Sequence, residues 1–236
     1  ILSMTNKIAI ISDIHGNLPA LEAVLHDIEN KRITQIYCLG DLVGYYCFFN
    51  EVVALVKEKN IHCLLGNHDY ALLHTNGVIE RSKTCTHILQ WQLQKATPET
   101  LAYLQTLQSS FEFEFANKKI QLVHAGLQDT IDEYVFDVTD DYLKANNFTN
   151  DILISGHTHL IAYKKMYSGK TWINPGAVGQ PRDYNNKASY AILDDKLEVE
   201  FVRVAYDFNT TITAMRNFGF DAYISEGLSN GKKIGQ

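Results

Sequence analysis

The chain has 236 residues, an apolar content of 46% and a formal net charge of −6. This length and apolar content can bury one substantial core, so we expect a single domain spanning residues 1–236. The acidic balance argues against a strong nucleic-acid footprint, and no segment approaches the roughly 20 apolar residues that a membrane-spanning helix needs. We therefore expect a cytoplasmic protein that acts on a small molecule. The sequence predicts no oligomeric state.

The cysteines and the first residues carry no functional signal. No C-x-x-C spacing occurs, which argues against a zinc knuckle or a disulfide framework and predicts reduced, mostly buried thiols at Cys38, Cys47, Cys63 and Cys85. Met4 is the expected native start, and we expect residues 1–3 to be a remnant without functional weight.

The first third of the chain alternates between apolar strands and amphipathic helices. Lys7–Ser12 is an apolar run typical of a strand covered on both faces, and Leu18–Asn30 has helical apolar spacing. The order repeats as a strand over 35–39, a helix over 50–59 and a strand over 61–65. This pattern predicts a parallel sheet with helical crossovers.

The rest of the chain is predicted to form helices and then a second sheet. Residues 82–107 indicate two helices that separate at Thr97-Pro98, because Thr is a good N-cap and Pro is favoured at the first helical position. Seven strands are then expected, at 111–115, 120–123, 152–155, 161–165, 171–173, 188–193 and 198–204. Residues 207–236 form a tail with weak helical spacing. The predicted fold class is α/β, with two mixed sheets packed as a sandwich and helices outside.

Polar side chains follow the ends of the predicted strands. Ligands of open α/β sheets bind outside the carboxyl ends of the strands, so these side chains should converge on one crevice. Five motifs are involved: D-x-H, G-D-x-x-G, G-N-H-D, H-A-G and G-H-T-H. Each could singly be a turn or a helix cap, but all five at strand ends predict a site. It contains Asp13, His15, Asp41, Asn67, His68, Asp69, His124, His157 and His159.

The residue types predict the chemistry of this site. Carboxylate, imidazole and amide oxygen suit Mn, Fe or Zn better than Mg or Ca, and Mn is the ion we expect to support activity in vitro. Two divalent ions bring four positive charges against two negative ones from Asp13 and Asp41, which favours an anionic phosphate and an ionised bridging water. Two ions roughly 3.5–4 Å apart can activate water and hold both the attacking and the leaving oxygen.

These motifs resemble those of the calcineurin-like metallophosphoesterases. The segment Asn174–Asp183 (NPGAVGQPRD), followed by Ala188–Ile192, resembles the small bacterial and archaeal phosphodiesterase branch, and the likeness extends from about Ile8 to Val204. It implies a four-layer α/β/β/α fold and a metal-bridging hydroxide as nucleophile. It also implies that His68 is the general acid and that Asp69 orients it. The implied ligands are Asp13, His15 and His159 for one ion, Asn67, His124 and His157 for the other, and Asp41 as the bridge.

The predicted function is therefore a binuclear-metal-dependent phosphodiesterase that acts on a small phosphorylated substrate. Phosphomonoester and dinucleoside polyphosphate hydrolysis stay open, because the metal cluster is common to all of them. By family resemblance, a Ser/Thr protein phosphatase would carry an Arg after the Gly-Asp motif and Glu in place of Asp69, and neither is present. A non-catalytic scaffold would be expected to have lost ligands or the acid, whereas here every one of these positions is filled. The aromatic loop Tyr45–Phe49 departs from the branch pattern and is expected to line the pocket.

Overall fold

The computed structural model describes residues 6–234, so the expected remnant at residues 1–3 lies outside the described part. Strands form two sheets and helices lie outside them. The strands are β1 (Lys7–Ile11), β2 (Gln35–Cys38), β3 (His62–Cys63), β4 (Ser110–Phe115), β5 (Lys118–Val123), β6 (Ile152–Ile154), β7 (Ile161–Lys165), β8 (Thr171–Pro175), β9 (Ala188–Asp194) and β10 (Val199–Val204). The helices are α1 (Leu18–Asn30), α2 (Phe49–Glu58), α3 (Asn67–His74), α4 (Lys83–Lys95), α5 (Pro98–Leu104), α6 (Asp140–Ala145) and α7 (Phe208–Asn217).

The first sheet has five strands in the order β10-β9-β1-β2-β3. Strand β1 pairs in parallel with β2, and β2 pairs in parallel with β3, through the crossovers expected from the sequence. On its other side β1 pairs with β9 in antiparallel register, in which Ile8 faces Leu193. The loops after β1 and β2 therefore lie side by side at one end of the sheet.

The second sheet has five strands in the order β4-β5-β6-β8-β7. Its central strands β5, β6 and β8 are parallel, and β4 and β7 close the edges in antiparallel register. Both sheets are thus mixed, as predicted. The expectation that every strand after residue 110 joins the second sheet is wrong, because β9 and β10 belong to the first. Six of the seven residues of β9 are buried, which suits a strand inside the first sheet.

Three apolar layers hold the structure together. Ile10, Leu122 and Ile154 belong to the layer between the sheets, and helices α1, α2 and α4 cover the outer face of the first sheet. A smaller cluster that includes Leu143 of α6 and Trp172 covers the second sheet. The cysteines are free and buried, as expected. Within residues 6–234, every helix is too short or too polar to cross a membrane.

Several helix boundaries follow from local chemistry. The Ser82 and Thr97 side chains accept hydrogen bonds from Cys85 N and Thr100 N, which begins α4 and α5 where the sequence placed them. Helices α3 and α6 were not predicted from the sequence. Beyond α7, two short 3₁₀ helices (Ala222–Ile224 and Glu226–Asn230) fold back onto the core.

Candidate active site

The loops that follow five strands, β1, β2 and β3 of the first sheet and β5 and β6 of the second, bring all the predicted ligand residues to one place. Backbone hydrogen bonds join these loops: Asp13 N donates to Gly40 O (3.0 Å) and Gly156 N donates to His124 O (2.8 Å). Three groups of side chains lie close enough together to hold a metal ion. The groups are Asp13, His15 and His159; His15, Asp41 and His68; and Asp41, His124 and His157.

Each of the two central aspartates uses one carboxylate oxygen for the backbone and the other for the site. Asp13 Oδ2 accepts from Ser12 Oγ (2.6 Å) and His157 N (3.0 Å), which leaves Oδ1 facing His159. Asp41 Oδ1 accepts from His68 N (2.9 Å), and Oδ2 lies 3.5 Å from both His15 Nε2 and His124 Nε2. Asp41 therefore stands between the two halves of the site.

Three histidine rings are fixed by backbone carbonyls. The Nδ1 atoms of His15, His124 and His159 contact the carbonyls of Val43 (2.8 Å), Leu39 (3.0 Å) and Gln180 (2.7 Å). A carbonyl only accepts, so each Nδ1 carries the proton and each Nε2 presents a lone pair to the site. Metal-bound histidines are usually held in this way.

The donor atoms fit a cation. His15 Nε2 and His159 Nε2 lie 3.2 Å apart, and Asp13 Oδ1 lies 3.2 Å from His159 Nε2. None of these three atoms has a proton to share, and Asp13 Oδ1 is buried without a hydrogen-bond partner among the described residues. On the other side, Asn67 Oδ1 lies 3.2 Å from His124 Nε2. Lone pairs that converge in a buried site repel one another, and a positive ion between these nitrogen and oxygen atoms would stabilise them.

The charges of His157, His159 and Asp41 agree with this arrangement. That of His124 does not: burial lowers its pKa, but Asp41 outweighs burial and raises it to about 10, so this ring must lose a proton before it can bind an ion. Burial lowers the pKa of His157 to about 3, and burial together with Arg182 lowers that of His159 to about 4, so both rings are neutral at neutral pH. Burial raises the pKa of Asp41, but His124 and His68 outweigh it and hold that carboxyl well below its usual range. Neutral imidazole and ionised carboxylate are the forms that bind metal.

The backbone of the site is strained. Asp13, His15, Asp41, His157 and His159 all have left-handed φ values, of 55, 52, 58, 66 and 61°. Such values are uncommon outside glycine and cost of order 1–3 kcal/mol each, and they concentrate at functional sites. The surrounding hydrogen bonds and packing hold these residues so that their side chains turn inward.

Gly66 has a steric reason to lack a side chain. A Cβ atom there would lie 2.1 Å from Asp41 Oδ1, so only glycine lets the loop before α3 approach the central carboxylate.

Asp69 occupies a different place from the one expected. Its Oδ2 accepts from Asp41 N (2.8 Å) and Gly66 N (3.0 Å), and its Oδ1 accepts from Leu42 N (2.9 Å) and Val43 N (3.1 Å). Burial and Asp41 raise the pKa of Asp69 to about 7, whereas these backbone donors favour its ionised form. The carboxylate therefore joins two loops and makes no hydrogen bond to His68.

The His68 ring lies inside the cluster. Its centroid is 4.8 Å from that of His15 and 4.9 Å from that of Tyr45, and Nδ1 is buried without a hydrogen-bond partner among the described residues. Burial lowers the pKa of His68 well below its usual value. The ring is placed either to contact a ligand or to contribute to a metal site.

Comparison with known proteins identifies the family. A sequence model described as the calcineurin-like phosphoesterase superfamily domain matches residues 7–197. The chain belongs to this superfamily. This phosphoesterase is a metal-dependent phosphoester hydrolase, and its fold and clustered donors agree with that class.

Three proteins are similar to the phosphoesterase over nearly all or half of its length. It is 36% identical to the uncharacterized protein MJ0912 of Methanocaldococcus jannaschii, over 96% of this chain and 99% of that one. It is 32% identical, with a TM-score of 0.80, to the crystal structure of a metallophosphoesterase from Sphaerobacter thermophilus, over 95% and 98% of the two chains. A symmetrical bis(5'-nucleosyl)-tetraphosphatase from Erwinia tasmaniensis is 29% identical over 50% of this chain and 43% of that one.

Only one residue of the aromatic loop of the phosphoesterase lines a cavity beside the site. Tyr45 faces His68, whereas Tyr46 and Phe49 are buried in the core. Gln92 supports this loop, since it accepts from Gly44 N (2.8 Å) and donates to Tyr46 O (2.8 Å). A glutamine on the buried face of α4 was a readable signal for such a role.

Sequence reasoning assigned no role to four other residues near the site. Arg182 donates to Tyr45 Oη (3.0 Å). The Tyr134 ring lies 4.1 Å from the His157 ring, and Arg81 lies over Tyr134 at 5.4 Å. Arg81 also pairs with Asp132, whose Oδ1 is 3.5 Å from His157 Nε2. The last three belong to loops between elements, where the sequence carries no periodicity to reveal them.

Two cavities flank the site. One of about 420 Å³ opens beside Tyr45 and His68, and the other, of about 580 Å³, opens beside Asn67 and Asp132. Arg81 lines both of them. The phosphoesterase therefore has open space next to both His68 and Asn67.

Proposed function

We propose that this phosphoesterase hydrolyses phosphodiesters with two divalent metal ions. The observation that carries the proposal is the convergence of unprotonated nitrogen and oxygen donors around Asp41, with spacings of 3.2–3.5 Å. We assign one ion to Asp13, His15 and His159, the other to Asn67, His124 and His157, and Asp41 to both.

The donor set suits Mn, Fe or Zn. Divalent ions at such a site neutralise phosphate charge and lower the pKa of a water molecule so that it can attack phosphorus. The protein holds the donors in place through backbone bonds to Asp13, Asp41 and Asp69. It also keeps bulk water out, because Asp13 and His15 are fully buried.

The two cavities support a diester as the substrate. A phosphodiester carries two substituents, and the cluster has an open space on the His68 side and another on the Asn67 side. A monoester would fill only one of them.

We assign to His68 the proton that the leaving group needs. The ring lies between the cluster and the smaller cavity, with one nitrogen free of partners among the described residues. Burial lowers the pKa of this ring, and the negative charges of Asp41 and of a bound phosphate oppose that effect and favour the protonated form that the step needs. A departing alkoxide is basic, so a proton delivered as the bond breaks speeds its departure. Asp69 acts on this step only indirectly, by fixing the loop that carries His68.

Dinucleoside polyphosphate hydrolysis is the second candidate, favoured by the similarity to the symmetrical tetraphosphatase over half of the chain. Phosphomonoester hydrolysis would use the same donors. A non-catalytic scaffold is opposed by the intact set of donors, which has no missing member at the predicted positions.

The test is turnover of bis-p-nitrophenyl phosphate by protein stripped with a chelator and then titrated with Mn. We expect the stripped protein to be inactive and activity to saturate at two ions per chain by elemental analysis, with the diester preferred over p-nitrophenyl phosphate. Full activity in the stripped protein, or saturation at one ion, would contradict the two-metal proposal. A preference for the monoester or for a dinucleoside tetraphosphate would replace the diester with that substrate.

A further inference from the structure

The cavity beside His68 is walled in part by the C-terminal segment (residues 222–234). Tyr223, Lys233 and Ile234 of this segment line it, together with Tyr45 and Arg81. The segment lies beyond residues 7–197, which the family model matches. This wall is therefore a feature of the chain outside the matched domain.

The C-terminal segment is anchored on both sides of the turn that positions Lys233. Ile224 and Leu228 are buried in the core, and Tyr184 N donates to Gly231 O (2.9 Å). Gly231 has a φ of 62°, and a Cβ atom there would lie 2.3 Å from Asn185 O, so glycine allows the chain to turn back here. The Thr84 and Tyr223 hydroxyls also bond across the cavity (3.0 Å).

The two cavities differ in charge. Among the residues that the structure describes, the one beside His68, here called the cationic cavity, is lined by Arg81 and Lys233 and by no carboxylate. Because Arg81 pairs with Asp132, the positive charge that this cavity offers comes mainly from Lys233. The other, here called the acidic cavity, is lined by Glu80, Asp129 and Asp132 as well as Arg81. Acidic residues outnumber basic ones in the whole chain, 27 to 21, so an acid-free basic lining is a local departure.

A further cation stands behind the cationic cavity. Arg182 donates to the neutral groups Tyr45 Oη (3.0 Å) and Gln180 Oε1 (2.7 Å), and no ion pair with a carboxylate is formed within residues 6–234. Burial lowers the pKa of Lys233, and Arg182 lowers it further because the two positive charges repel. An anion in the cavity would relieve this repulsion.

We propose that the cationic cavity binds a second phosphate group of the substrate, remote from the phosphate that is cleaved. Lys233 is then a specificity-determining residue, and the acidic cavity receives the uncharged substituent. The inference rests on the proposed phosphodiesterase function and names its substrate class, a diester with a phosphate monoester on one side only. A lysine ammonium is a strong partner for such a group.

The test compares two substrates that share one leaving group. They are thymidine 5'-(p-nitrophenyl phosphate) and the same diester carrying a 3'-phosphate. The p-nitrophenolate that both release needs no proton from His68, so it can depart from the acidic cavity while the nucleoside lies in the cationic cavity. We expect kcat/KM of the Mn-loaded wild type to be higher for the second by roughly 10-fold or more, the scale of one charge-assisted hydrogen bond. Lys233→Gln should remove most of this preference. The matched control is Lys232→Gln, since Lys232 lies over the Tyr184 ring at 5.8 Å and does not line the cavity.

Binding is measured alongside turnover, by calorimetry of the Mn-loaded protein with thymidine 3',5'-bisphosphate and with thymidine 5'-phosphate. The bisphosphate should bind the wild type and Lys232→Gln more tightly, and Lys233→Gln should lose the difference. Turnover of both diesters at equal rates, with equal binding of the two nucleotides, overturns the second-phosphate site and leaves the phosphodiesterase proposal standing. Absence of turnover for both overturns the phosphodiesterase, while the binding difference still decides whether the cavity holds phosphate.

Discussion

At the scale of single residues, the site depends on two carboxylates whose two oxygens have different partners. Asp13 and Asp41 each give one oxygen to backbone N–H groups and present the other to the donor cluster. The hydrogen bonds to the first oxygen fix the direction of the second. Side chains held in this way need little reorganisation when an ion binds.

Asp41→Asn is expected to lose both metal and activity. The change removes the negative charge assigned to both ions, and altering even a hydrogen-bond partner of a metal ligand typically costs 10–100-fold, so turnover should fall by more than ~100-fold. Elemental analysis of the purified variant should show fewer ions per chain. Asp137→Asn is the control, because Asp137 is 61% exposed and pairs only with Lys164. An Asp41→Asn protein with two ions and a near-normal rate would exclude Asp41 as the shared ligand.

His68→Ala is expected to keep both ions and to slow turnover according to the leaving group. General acid catalysis is typically worth ~10²–10⁴-fold, and p-nitrophenolate departs without a proton, so the loss should be large for alkyl and ribose esters and small for p-nitrophenyl esters. Rates for such a series of diesters, with metal content, provide the measurement.

The control for this series is His74→Ala, an exposed position at the other end of α3. Loss of metal in His68→Ala would make His68 a ligand, in line with its closeness to His15 and Asp41. An equal slowing of all leaving groups would assign it to binding of the phosphate instead.

The positions of the candidate ligands could be predicted from the sequence, because each follows an apolar strand and the carboxyl ends of parallel strands meet at one edge of each sheet. That the edges of two sheets would face each other could not be predicted in this way. The partners of Asp69 could not. Its neighbour in sequence is His68, but its hydrogen-bond partners include residues 41–43, which are brought close only by the tertiary fold. Arg182 was visible within a family-like segment, yet nothing in the sequence linked it to Tyr45.

At the scale of secondary-structure elements, helix α3 lacks the apolar periodicity of a helix because its first turn carries residues of the candidate site. Its first residues Asn67, His68 and Asp69 are polar and buried, because they face the site rather than solvent. The usual apolar stripe is therefore missing, and the sequence pattern did not predict a helix there. Helices α1, α4 and α5 were predicted well, since an apolar face or an N-cap marks each of them.

Asp69→Ala tests whether the Asp69 carboxylate holds α3 against the loop after β2. The carboxylate accepts four backbone N–H bonds, and each buried donor left without a partner costs about 1–3 kcal/mol. We expect the free energy of unfolding to fall by more than about 3 kcal/mol, measured by urea denaturation, with weaker metal binding. Asp69→Asn keeps the shape of the side chain and part of its accepting capacity, so its free energy of unfolding should lie between those of the wild type and Asp69→Ala.

The control for this measurement is Asp141→Ala, an exposed position in the first turn of α6. An Asp69→Ala protein of wild-type stability and metal content would show that the Asp69 carboxylate is not needed to hold α3 against the loop after β2. If it lost rate only with poor leaving groups, Asp69 would instead act through His68.

At the scale of the whole molecule, the C-terminal segment (residues 222–234) packs into the same apolar core as the first helices. Ile224 and Leu228 are buried in the same cluster as Leu21 and Val24 of α1. We therefore propose that residues 6–234 form one domain, as composition predicted. The allotment of strands to sheets could not be read from the sequence, because β9 has an apolar pattern that would suit the centre of either sheet.

The position of β1 has a consequence for how the protein is made. This strand leaves the ribosome before the other described strands, yet it receives one of its two neighbours only when β9 has been synthesised, since Lys7 pairs with Asp194. Until then the nascent chain carries an apolar strand with a bare edge, which is the kind of surface that recruits other chains. Contacts of such long sequence separation also slow folding. Translation therefore has to pass β9 before the first sheet can be completed, and until then the edge of β1 stays open to other chains.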